Sequence, residues 1–504
     1  MYPRWLPDSS TLVYYSPPLR GEAQGRLLEI SALGGAPRAL MRSISSADIS
    51  HDGKKLAFFR LSDKNTVELV TAERSTSAVS VSAELPSSKA YEYPRWSPND
   101  RWIAFQHSTL DVDDISYVSA AGGDIHALTN EGVLMGGLSW LPDGSGIIYS
   151  SGRESTLIYL PTMHLWAASL DGSPARQMSY GETSLYNPDV DRAGHLVASR
   201  LRMQFDLWKY PVVGAPRKNT HDGQQLTHET GQVQTPNVRP GDRELAYLSD
   251  DGGHGNVWVL DLSTGASRQI TFESDPHVSI GLPMWSPDGN KIAVVSTREQ
   301  PNWNTLGVWV VDSDGSDLHR VLSQISGYPT WSSDGKWLYS SSMLHDTFQI
   351  SKTPVNGGTP VLVRNDNACV SALAADGSVL YYSVPHLNGN GIRDYEIRAA
   401  RPENGSSVRL VQVTGDRVPH WQVLQPSLSH DGRWLALPLA DGATTNLYLL
   451  STVDGSWRQA TDFSPRRTFT VRRVSWSSDD HALYAAVGDG DADVVLIEGL
   501  FPVR

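Results

Sequence analysis

Two similar segments occur in the first part of the chain: YPRWLPDSSTLVYYS occupies residues 2–16 and YPRWSPNDRWIAFQH occupies residues 93–107. Each copy reads as a short strand, a tight turn, and a second strand of alternating or continuous apolar residues. A repeat of this kind constrains the fold strongly, because one such unit cannot bury its apolar face alone and has to stack on its neighbours.

The same phrase recurs along the whole chain. The match to this pattern is close in GLSWLPDGSGIIYSS (137–151) and LPMWSPDGNKIAVVS (282–296), and weak in YNPDVDRAGHLVASR (186–200) and TPNVRPGDRELAYLS (235–249). Aligning the copies on their turns gives eleven units at a spacing of about 47 residues, anchored at Asp8, Asp52, Asn99, Asp143, Arg192, Gly241, Asp288, Asp334, Asp376, Asp431 and Asp479.

Each unit has a second half with its own pattern. Segments such as GNVWVLDLSTGASRQIT (255–271) and NLYLLSTVDGSWRQAT (446–461) read as strand, Gly/Asp turn and strand. A unit therefore contains four antiparallel strands, a to d, and almost no stretch has the apolar period of a helix. Four-stranded units repeating at this spacing predict an all-β fold, the blades of a β-propeller.

Eleven blades exceed the number in most single propellers, which predicts two propellers in tandem. The long polar stretch at 213–236 marks a boundary between the two weak copies. We expect an N-terminal propeller of about five blades in residues 1–215 and a C-terminal one of about six blades in residues 216–504. One ring of eleven blades is the competing geometry.

The repeated W-S-P-D-G phrase, followed by an apolar strand, resembles the TolB-like (PD40, WD40-like) propeller repeat, and the resemblance covers essentially the whole chain. Later copies, such as HGNVWVLD, resemble propeller regions of bacterial membrane-anchored kinases and winged-helix regulators, although this sequence shows neither a kinase nor a winged helix. The resemblance implies a bacterial protein with a binding, sensing or enzyme-accessory role. It implies a periplasmic location if the chain belongs to a longer, anchored protein.

Charge and composition exclude several classes. The formal net charge of −13 disfavours nucleic-acid binding. No apolar run approaches the roughly 18 residues that span a bilayer, so we expect no membrane insertion of this chain, and no signal peptide is visible. The lone cysteine, Cys369, is expected to be buried.

Motifs for catalysis and for cofactors are missing from the sequence. G-x-S-x-G, P-loop, G-x-G-x-x-G and H-E-x-x-H patterns do not occur. The acidic groups Asp312, Asp314, Asp317 and Asp489, Asp491, Asp493 do not continue into a calcium-binding loop, and we interpret them as solvated turns. We expect no cofactor and no metal.

The recurring turn aspartates and tryptophans are interpreted as architecture. Asp before Gly suits a tight turn, because its carboxylate accepts bonds from nearby amides. The tryptophans three residues before the turn anchors are expected to pack between blades: Trp5, Trp96, Trp140, Trp285, Trp331 and Trp476.

Loops between strands b and c vary in length and chemistry, and one of them is predicted at SRLRMQFD (199–206), whereas the a–b turns are nearly uniform. Since loops carry function on rigid scaffolds, this variable rim is the candidate binding face. Ionisable residues just past strand b form the candidate site, flanked by Tyr159, Phe205 and Trp303: His107, Arg153, Arg200, Asp250, His254, Arg298, His345, His386 and Asp441. The competing interpretation is that loop ends are polar in any case.

We therefore expect a non-catalytic binding or sensing module, with a protein, small-molecule or carbohydrate ligand on this face or in a central channel. One alternative is a propeller enzyme, such as a polysaccharide lyase or lactonase, with a channel His or Tyr base or a metal. Another is a scaffold protein. Segment 493–500 reads as strand c of the eleventh unit with no strand d after it, so we also expect upstream sequence to be missing.

Overall fold

The structure is a computed structural model that describes residues 3–19, 22–64, 66–109, 112–157, 161–181, 183–229, 231–298, 306–322, 326–344, 347–387, 393–402, 406–418, 423–464 and 466–499. Within these ranges the chain forms 42 strands and one α-helix, α1 (Pro216–His221). This confirms the prediction of an all-β propeller fold. None of the described helical segments is both long and apolar enough to cross a bilayer.

The first four units form four-stranded antiparallel sheets, blades 1 to 4, with the strands in sequence order. Their strands are β1 (Arg4–Trp5), β2 (Thr11–Ser16), β3 (Gly25–Ser31) and β4 (Arg38–Ser43); β5 (Asp48–Ile49), β6 (Lys55–Leu61), β7 (Val67–Glu73) and β8 (Val79–Leu85); β9 (Ala90–Trp96), β10 (Trp102–Thr109), β11 (Val112–Ser119) and β12 (His126–Ala127); and β13 (Met135–Trp140), β14 (Gly146–Ser151), β15 (His164–Ser169) and β16 (Arg176–Gln177). Three strands follow: β17 (Ser184–Val190), β18 (Leu196–Pro211) and, after α1, β19 (Gln224–Gln225).

Blades 6 to 10 have the same four-stranded order. Their strands are β20 (Val233–Val238), β21 (Glu244–Ser249), β22 (Asn256–Asp261) and β23 (Ser267–Gln269); β24 (Ile280–Trp285), β25 (Lys291–Ser296), β26 (Gly307–Asp312) and β27 (His319–Leu322); β28 (Ser326–Trp331), β29 (Trp337–Leu344), β30 (Thr347–Pro354) and β31 (Val361–Arg364); β32 (Ser371–Leu373), β33 (Leu380–Leu387), β34 (Arg393–Ala400) and β35 (Val408–Val413); and β36 (Ser427–Leu428), β37 (Trp434–Asp441), β38 (Thr444–Ser451) and β39 (Trp457–Gln459). The last strands are β40 (Thr468–Thr470), β41 (Ser475–Trp476) and β42 (Ala482–Ile497).

Two long strands, β18 and β42, build both remaining blades. They pair antiparallel along their whole length, from Leu196 opposite Ile497 to Pro211 opposite Ala482. Strand β17 pairs only with the first half of β18, and β19 only with its second half. Strands β40 and β41 pair only with the first half of β42. Blade 5 therefore consists of β17 and one half of each long strand, and blade 11 of β40, β41, β19 and the other halves.

This shared sheet corrects two sequence predictions. Residues 199–206 were predicted to be a b–c loop, but they lie inside β18. The described part of segment 493–500 was predicted to be strand c of the eleventh unit, yet its strand residues pair with the first half of β18 in blade 5. The outer strands of blade 11 come from the second half of β18 and from β19. Both predictions were wrong because each assumed that a unit pairs only with itself.

The innermost strands of neighbouring blades contact each other in two cycles. In the first ring, β1, β5, β9, β13 and β17 follow one another, and Arg4 closes the ring on Asp189 of β17. In the second ring, β20, β24, β28, β32, β36 and β41 follow one another, and β41 contacts β20 again. The domain boundary between residues 215 and 216 remains a prediction, since both long strands contribute to both rings.

Three of the tryptophans connect neighbouring blades through hydrogen bonds. The indole nitrogens of Trp140, Trp331 and Trp476 donate to backbone carbonyls in the preceding blade, at 2.9, 2.9 and 2.8 Å. All three side chains are buried. Trp5 is the exception and is 53% exposed. Blade 1 meets blade 5 through the ion pair of Arg4, so the prediction that Trp5 packs between blades was wrong.

The turn aspartates have the predicted structural role. Asp334 accepts hydrogen bonds from the Lys336 amide and the Ser332 hydroxyl, at 3.0 and 2.6 Å. Asp288 does the same with Asn290 and Ser286. The hydroxyl bond from Ser332 is the main cause that lowers the pKa of Asp334 below its ordinary value.

Candidate ligand-binding site

The two rings turn their loop-bearing faces toward each other. In blade 5, β18 runs as strand b and leaves the first ring at its b–c end; in blade 11 it continues as strand c and enters the second ring at its b–c end. Strand β42 makes the reverse passage. We call these opposed ends, which carry the b–c and d–a loops, the inner faces. The a–b and c–d turns lie on the outer faces.

A loop of the first ring docks on the second ring. Thr156 accepts a hydrogen bond from the Gly255 amide at 2.8 Å, and the Ser155 carbonyl accepts one from the Ser279 hydroxyl at 2.9 Å. Leu157 forms a parallel bridge with Ile280 and is buried in a core cluster of blades 6 and 7. The b–c loop of blade 4 therefore fixes the inner faces relative to each other.

Two of the predicted rim arginines, Arg153 and Arg298, contact a glutamate and a tryptophan close to their own blades. Arg153 donates to Glu131 at 3.2 Å and lies over the Trp166 ring, 4.7 Å from its centroid. In the same way Arg298 donates to Glu273 at 2.8 Å and lies over Trp309 at 5.6 Å. Because the arrangement repeats in two blades, it reads as architecture.

Four further rim residues also have local partners. Arg200 lies inside β18 and pairs with Asp493 of β42 at 2.8 Å. Asp250 accepts the Gln232 amide at 2.6 Å. His254 is buried, with Nε2 2.8 Å from the Asp275 carbonyl oxygen. Asp441 accepts hydrogen bonds from Asn446 and Tyr448.

The histidines of the rim differ in exposure. His107 is 3.0 Å from the Ser116 hydroxyl, and burial lowers its pKa. His386 is more exposed and lies 3.6 Å from Glu396. His345, with the flanking Tyr159 and Trp303, lies outside the described residues. Phe205 is fully buried in the core of the second ring.

The described rim residues do not form one cluster. Among the eight that the structure describes, no hydrogen bond or ion pair joins one to another. In the described part of the chain, no three or more His, Cys, Asp or Glu side chains are grouped to hold a metal ion.

The second ring has a different kind of residue at its axis. Several innermost strands carry a bulge three residues before the tryptophan position, with a positive φ at Thr235, Leu282 and Tyr328 of 48°, 52° and 56°. Such angles are unusual for residues with a Cβ. In blade 11 the positive φ, 49°, is at Arg472, four residues before Trp476.

Two arginines in this region reach across the ring. Arg472 and Arg473 lie between β40 and β41 of blade 11 and are 4% and 7% exposed. Arg473 Nη2 donates to the Pro283 carbonyl of blade 7 at 2.5 Å. Arg472 Nη1 donates to the Tyr328 hydroxyl at 3.2 Å, and Tyr328 belongs to blade 8, which is opposite blade 11 in a ring of six. Both side chains therefore extend across the axis.

Sequence reasoning missed this axial arginine pair, Arg472 and Arg473. The other blades of the second ring have uncharged residues here, as in QTPNV, GLPMW and GYPTW, whereas blade 11 has VRRVSW. The departure from the template was the available signal.

The first ring closes its axis with balanced charge. Arg4 lies 2.5 Å from Asp189 and 3.3 Å from Asp48. Arg95 is buried beside them, and burial, followed by the positive charge of Arg4, lowers its pKa to about 10. These residues line a small cavity of about 130 Å³ on the outer face. In the second ring the equivalent positions carry no charge: Asn237, Met284, Thr330, Ala372, Ser427 and Ser475.

A larger groove lies on the outer face of the second ring. It has a volume of about 640 Å³ and lies between blades 7 and 8, against Trp331 and Trp337. Its walls include the turn aspartates Asp288 and Asp334, which serve the blade architecture. It is therefore a weaker candidate than the inner face.

The comparison with protein families identifies the repeat. The model of the PD40 family, described as the TolB beta propeller domain, matches residues 218–478, just over half of the chain. The chain belongs to the PD40 family. The matched segment begins in α1 and ends in blade 11, so it covers most of the second ring.

Several known proteins align with parts of the chain. A Streptomyces coelicolor protein named as a tricorn protease homologue is 24% identical over 398 residues, 72% of this chain and 32% of that protein. The Tol-Pal system protein TolB of Alcanivorax borkumensis is 29% identical over 97 residues, 19% of this chain and 22% of that protein. The chain thus spans less than a third of the length of either relative.

Solved structures with similar folds include a protein described as a TolB of Agrobacterium tumefaciens. It is 16% identical, with 57% of this chain and 98% of that chain covered and a TM-score of 0.44. An oligogalacturonate lyase of Vibrio parahaemolyticus is 12% identical, with 78% of this chain and 96% of that chain covered and a TM-score of 0.29.

Proposed function

We propose that this PD40 chain is a non-catalytic binding module that holds a protein segment or small molecule at its inner faces. The observation that carries the proposal is the passage of β18 and β42 between the rings, which turns the variable loops of both rings toward each other. A ligand held there contacts loops from two rigid scaffolds at once.

The state of the rim side chains supports binding over catalysis. Arg153, Arg298 and Asp441 are held in bonds that fix the shape of their loops. Groups that are committed to such bonds suit a preorganised surface better than proton transfer, which needs a group in reach of the substrate. Relatives that carry the name Tol-Pal system protein also favour a protein as the partner.

The test is a selection of random displayed peptides against the full chain, followed by affinity measurements on two charge variants. His386→Glu changes an exposed side chain at the inner face, and Lys336→Glu changes one at the outer face. We expect the selected peptides to bind His386→Glu about tenfold more weakly and Lys336→Glu unchanged.

Peptides that respond only to Lys336→Glu, or a selection that yields no binder, would overturn the inner-face proposal. Turnover of a uronate polymer that is lost on removal of a metal would overturn its non-catalytic part.

A further inference from the structure

We propose that an extended segment of a partner protein, with alternating apolar residues and with basic residues at its ends, adds to blade 5 as a fourth strand. The surface is the unpaired side of β42 over residues 490–497, which we call the blade 5 edge. This inference goes beyond the proposed function, because a fourth strand lies on the outer rim of a blade and not at the inner faces.

Blade 5 is one strand short of the blades before it. Blades 1 to 4 each end on a strand d that pairs with strand c. In blade 5 the second half of β42 takes the place of strand c, and one of its sides pairs with β18. Strands β40 and β41 pair with β42 before residue 490, and none of the other strands in the described ranges pairs with the blade 5 edge. Its backbone donors and acceptors are therefore open to a further strand.

The side chains of this half of β42 are exposed, whereas strand c is buried in other blades. Val494 and Leu496 are 78% and 58% exposed, but Val308 and Val310 in strand c of blade 7 are buried. Val197 of β18 pairs with Leu496 and is 39% exposed. Alternate residues of one strand, and residues directly opposite each other on two strands, share a face of the sheet. The three exposed side chains therefore form one apolar patch beside the edge.

This patch faces away from blade 4 and toward blade 1. Val495 and Ile497 pack against the core cluster that blades 4 and 5 share. Because side chains alternate along a strand, Val494 and Leu496 lie on the opposite face. In a ring of five blades, that face of blade 5 is turned toward blade 1.

The interface between blades 5 and 1 also lacks a core. Eleven pairs of neighbouring blades occur in the two rings, and buried apolar clusters span ten of them. Among the described residues no such cluster spans blades 5 and 1, which meet through the ion pair of Arg4 with Asp189. Exposed apolar surface that other blades bury is the kind of surface that marks a protein interface.

The charge of the edge favours a basic partner. Residues 489–498 contain four carboxylates and no Lys or Arg. Asp493 pairs with Arg200 of β18, which leaves Asp491 and Glu498 toward the two ends of the edge. Lys or Arg side chains on an added strand can pair with these carboxylates. A second copy of the chain would bring the same carboxylates and a net charge of −13 against them, which disfavours self-pairing.

The test uses three synthetic eight-residue peptides that are acetylated and amidated at their ends. The first has lysine at both ends and alternating valine and threonine between them. The second has glutamate in place of lysine. The third is the lysine peptide with N-methyl groups on its four central amides, which removes hydrogen-bond donors from both of its sides but keeps its charge.

We expect the lysine peptide to bind the full chain, and each of the other two to bind at least about tenfold more weakly. Fluorescence anisotropy with labelled peptides measures the affinities. Hydrogen exchange of the full chain should slow in residues 490–497 when the lysine peptide is bound. An N-methylated or glutamate peptide that binds as tightly as the lysine peptide, or a lysine peptide that does not bind, would overturn the proposal.

Variants locate the binding on the chain. Val494→Lys adds a positive charge at an exposed position of the blade 5 edge, and we expect it to weaken binding of the lysine peptide about tenfold. Asp491→Asn should weaken it less. Val408→Lys is the matched control, since Val408 is 63% exposed in β35, the outermost strand of blade 9. All three substitutions change exposed side chains, so the melting temperature should stay unchanged. If Val408→Lys weakens binding as much as Val494→Lys, the peptide binds outer strands in general and the proposal falls.

Sedimentation of the full chain separates a partner protein from a second copy. We expect one sedimentation coefficient over a hundredfold range of concentration, for the unaltered chain and for Val494→Lys alike. Dimers that form at high concentration and are lost in Val494→Lys would assign the blade 5 edge to a second copy and contradict the proposal.

Discussion

Arg200 and Asp493 are 293 residues apart in the sequence, yet their side chains pair at 2.8 Å across β18 and β42. The pair lies near the point where both strands pass from one ring to the other. Each ring thus takes a strand of its last blade from a distant part of the chain. The strands β18 and β42 therefore both close the two rings and connect them to each other.

The shared strands predict a large effect of breaking β18 near its middle. Leu201 pairs with Ser184 on one side and with Ala492 on the other. Leu201→Pro removes a ladder amide from a strand that is paired on both edges, and we expect a loss of unfolding free energy of about 3 kcal/mol or more. Urea unfolding followed by tryptophan fluorescence measures the loss. Val213→Pro, at an exposed position just after β18, is the control, and an equal loss in both variants would contradict the prediction.

The docking of Leu157 predicts that the rings stabilise each other. This first-ring side chain is buried in the core cluster of blades 6 and 7. Leu157→Ala leaves a cavity there, and we expect it to cost about 2–5 kcal/mol. Hydrogen exchange should then rise in residues 254–280 of the second ring. Leu33→Ala, at a position that is 99% exposed, should change neither measurement.

The hydrogen bond between Arg298 and Glu273 predicts a contribution to stability that depends on pH. Burial raises the pKa of Glu273, but hydrogen bonds from the Asp275 amide and from Arg298 outweigh it and hold the pKa below its ordinary value. A lowered carboxyl pKa stabilises the fold above the unfolded pKa, and this contribution is lost as the pH falls through the folded pKa.

Arg298→Ala should therefore cost about 1–3 kcal/mol at pH 7 and less at pH 3. Urea unfolding at both pH values measures the difference. Arg38→Ala, which removes an exposed ion pair with Glu29, should cost under about 1 kcal/mol. A loss for Arg298→Ala that is equal at both pH values would count against this contribution.

The turn of blade 6 predicts a measurable carboxyl titration. The Ser263 hydroxyl, together with the amides of Thr264 and Ser263, lowers the pKa of Asp261 to about 2. Ser263→Ala should raise that pKa toward its ordinary value, as measured by NMR titration. Asp454, whose pKa is also about 2 in the equivalent turn of blade 10, should not change. Stability from both groups is expected to fall as the pH drops from about 4 toward 2.

The sequence predicted the blades because their physics is local. Alternation of apolar residues, Asp-Gly turns and the tryptophan before each turn act within about 15 residues, and they specify strand type and turn position. The inter-blade bonds of Trp140 and Trp331 and the turn bonds of Asp334 follow directly from that pattern.

The prediction of a loop at 199–206 was wrong for a physical reason. SRLRMQFD alternates polar and apolar residues, which indicates a half-buried strand, but the repeat template places a b–c loop at these positions. Whether this segment is a strand depends on its pairing with β42. The local sequence pattern around Arg200 and around Asp493 does not reveal that the two residues pair. The axial arginine pair was missed for a related reason, since its acceptors Pro283 and Tyr328 lie in other blades.

The sequence by itself determined an all-β chain of eleven propeller units, because each unit repeats its own apolar pattern and turn chemistry. Only the tertiary structure decided which strands complete blades 5 and 11, that the loop faces oppose each other, and that two arginines of blade 11 contact blades 7 and 8. Those features depend on contacts between residues hundreds of positions apart. Hydrogen bonds between strand backbones form with almost any side chains, so the local sequence does not determine which distant strands pair. The packing of the complete rings determines it.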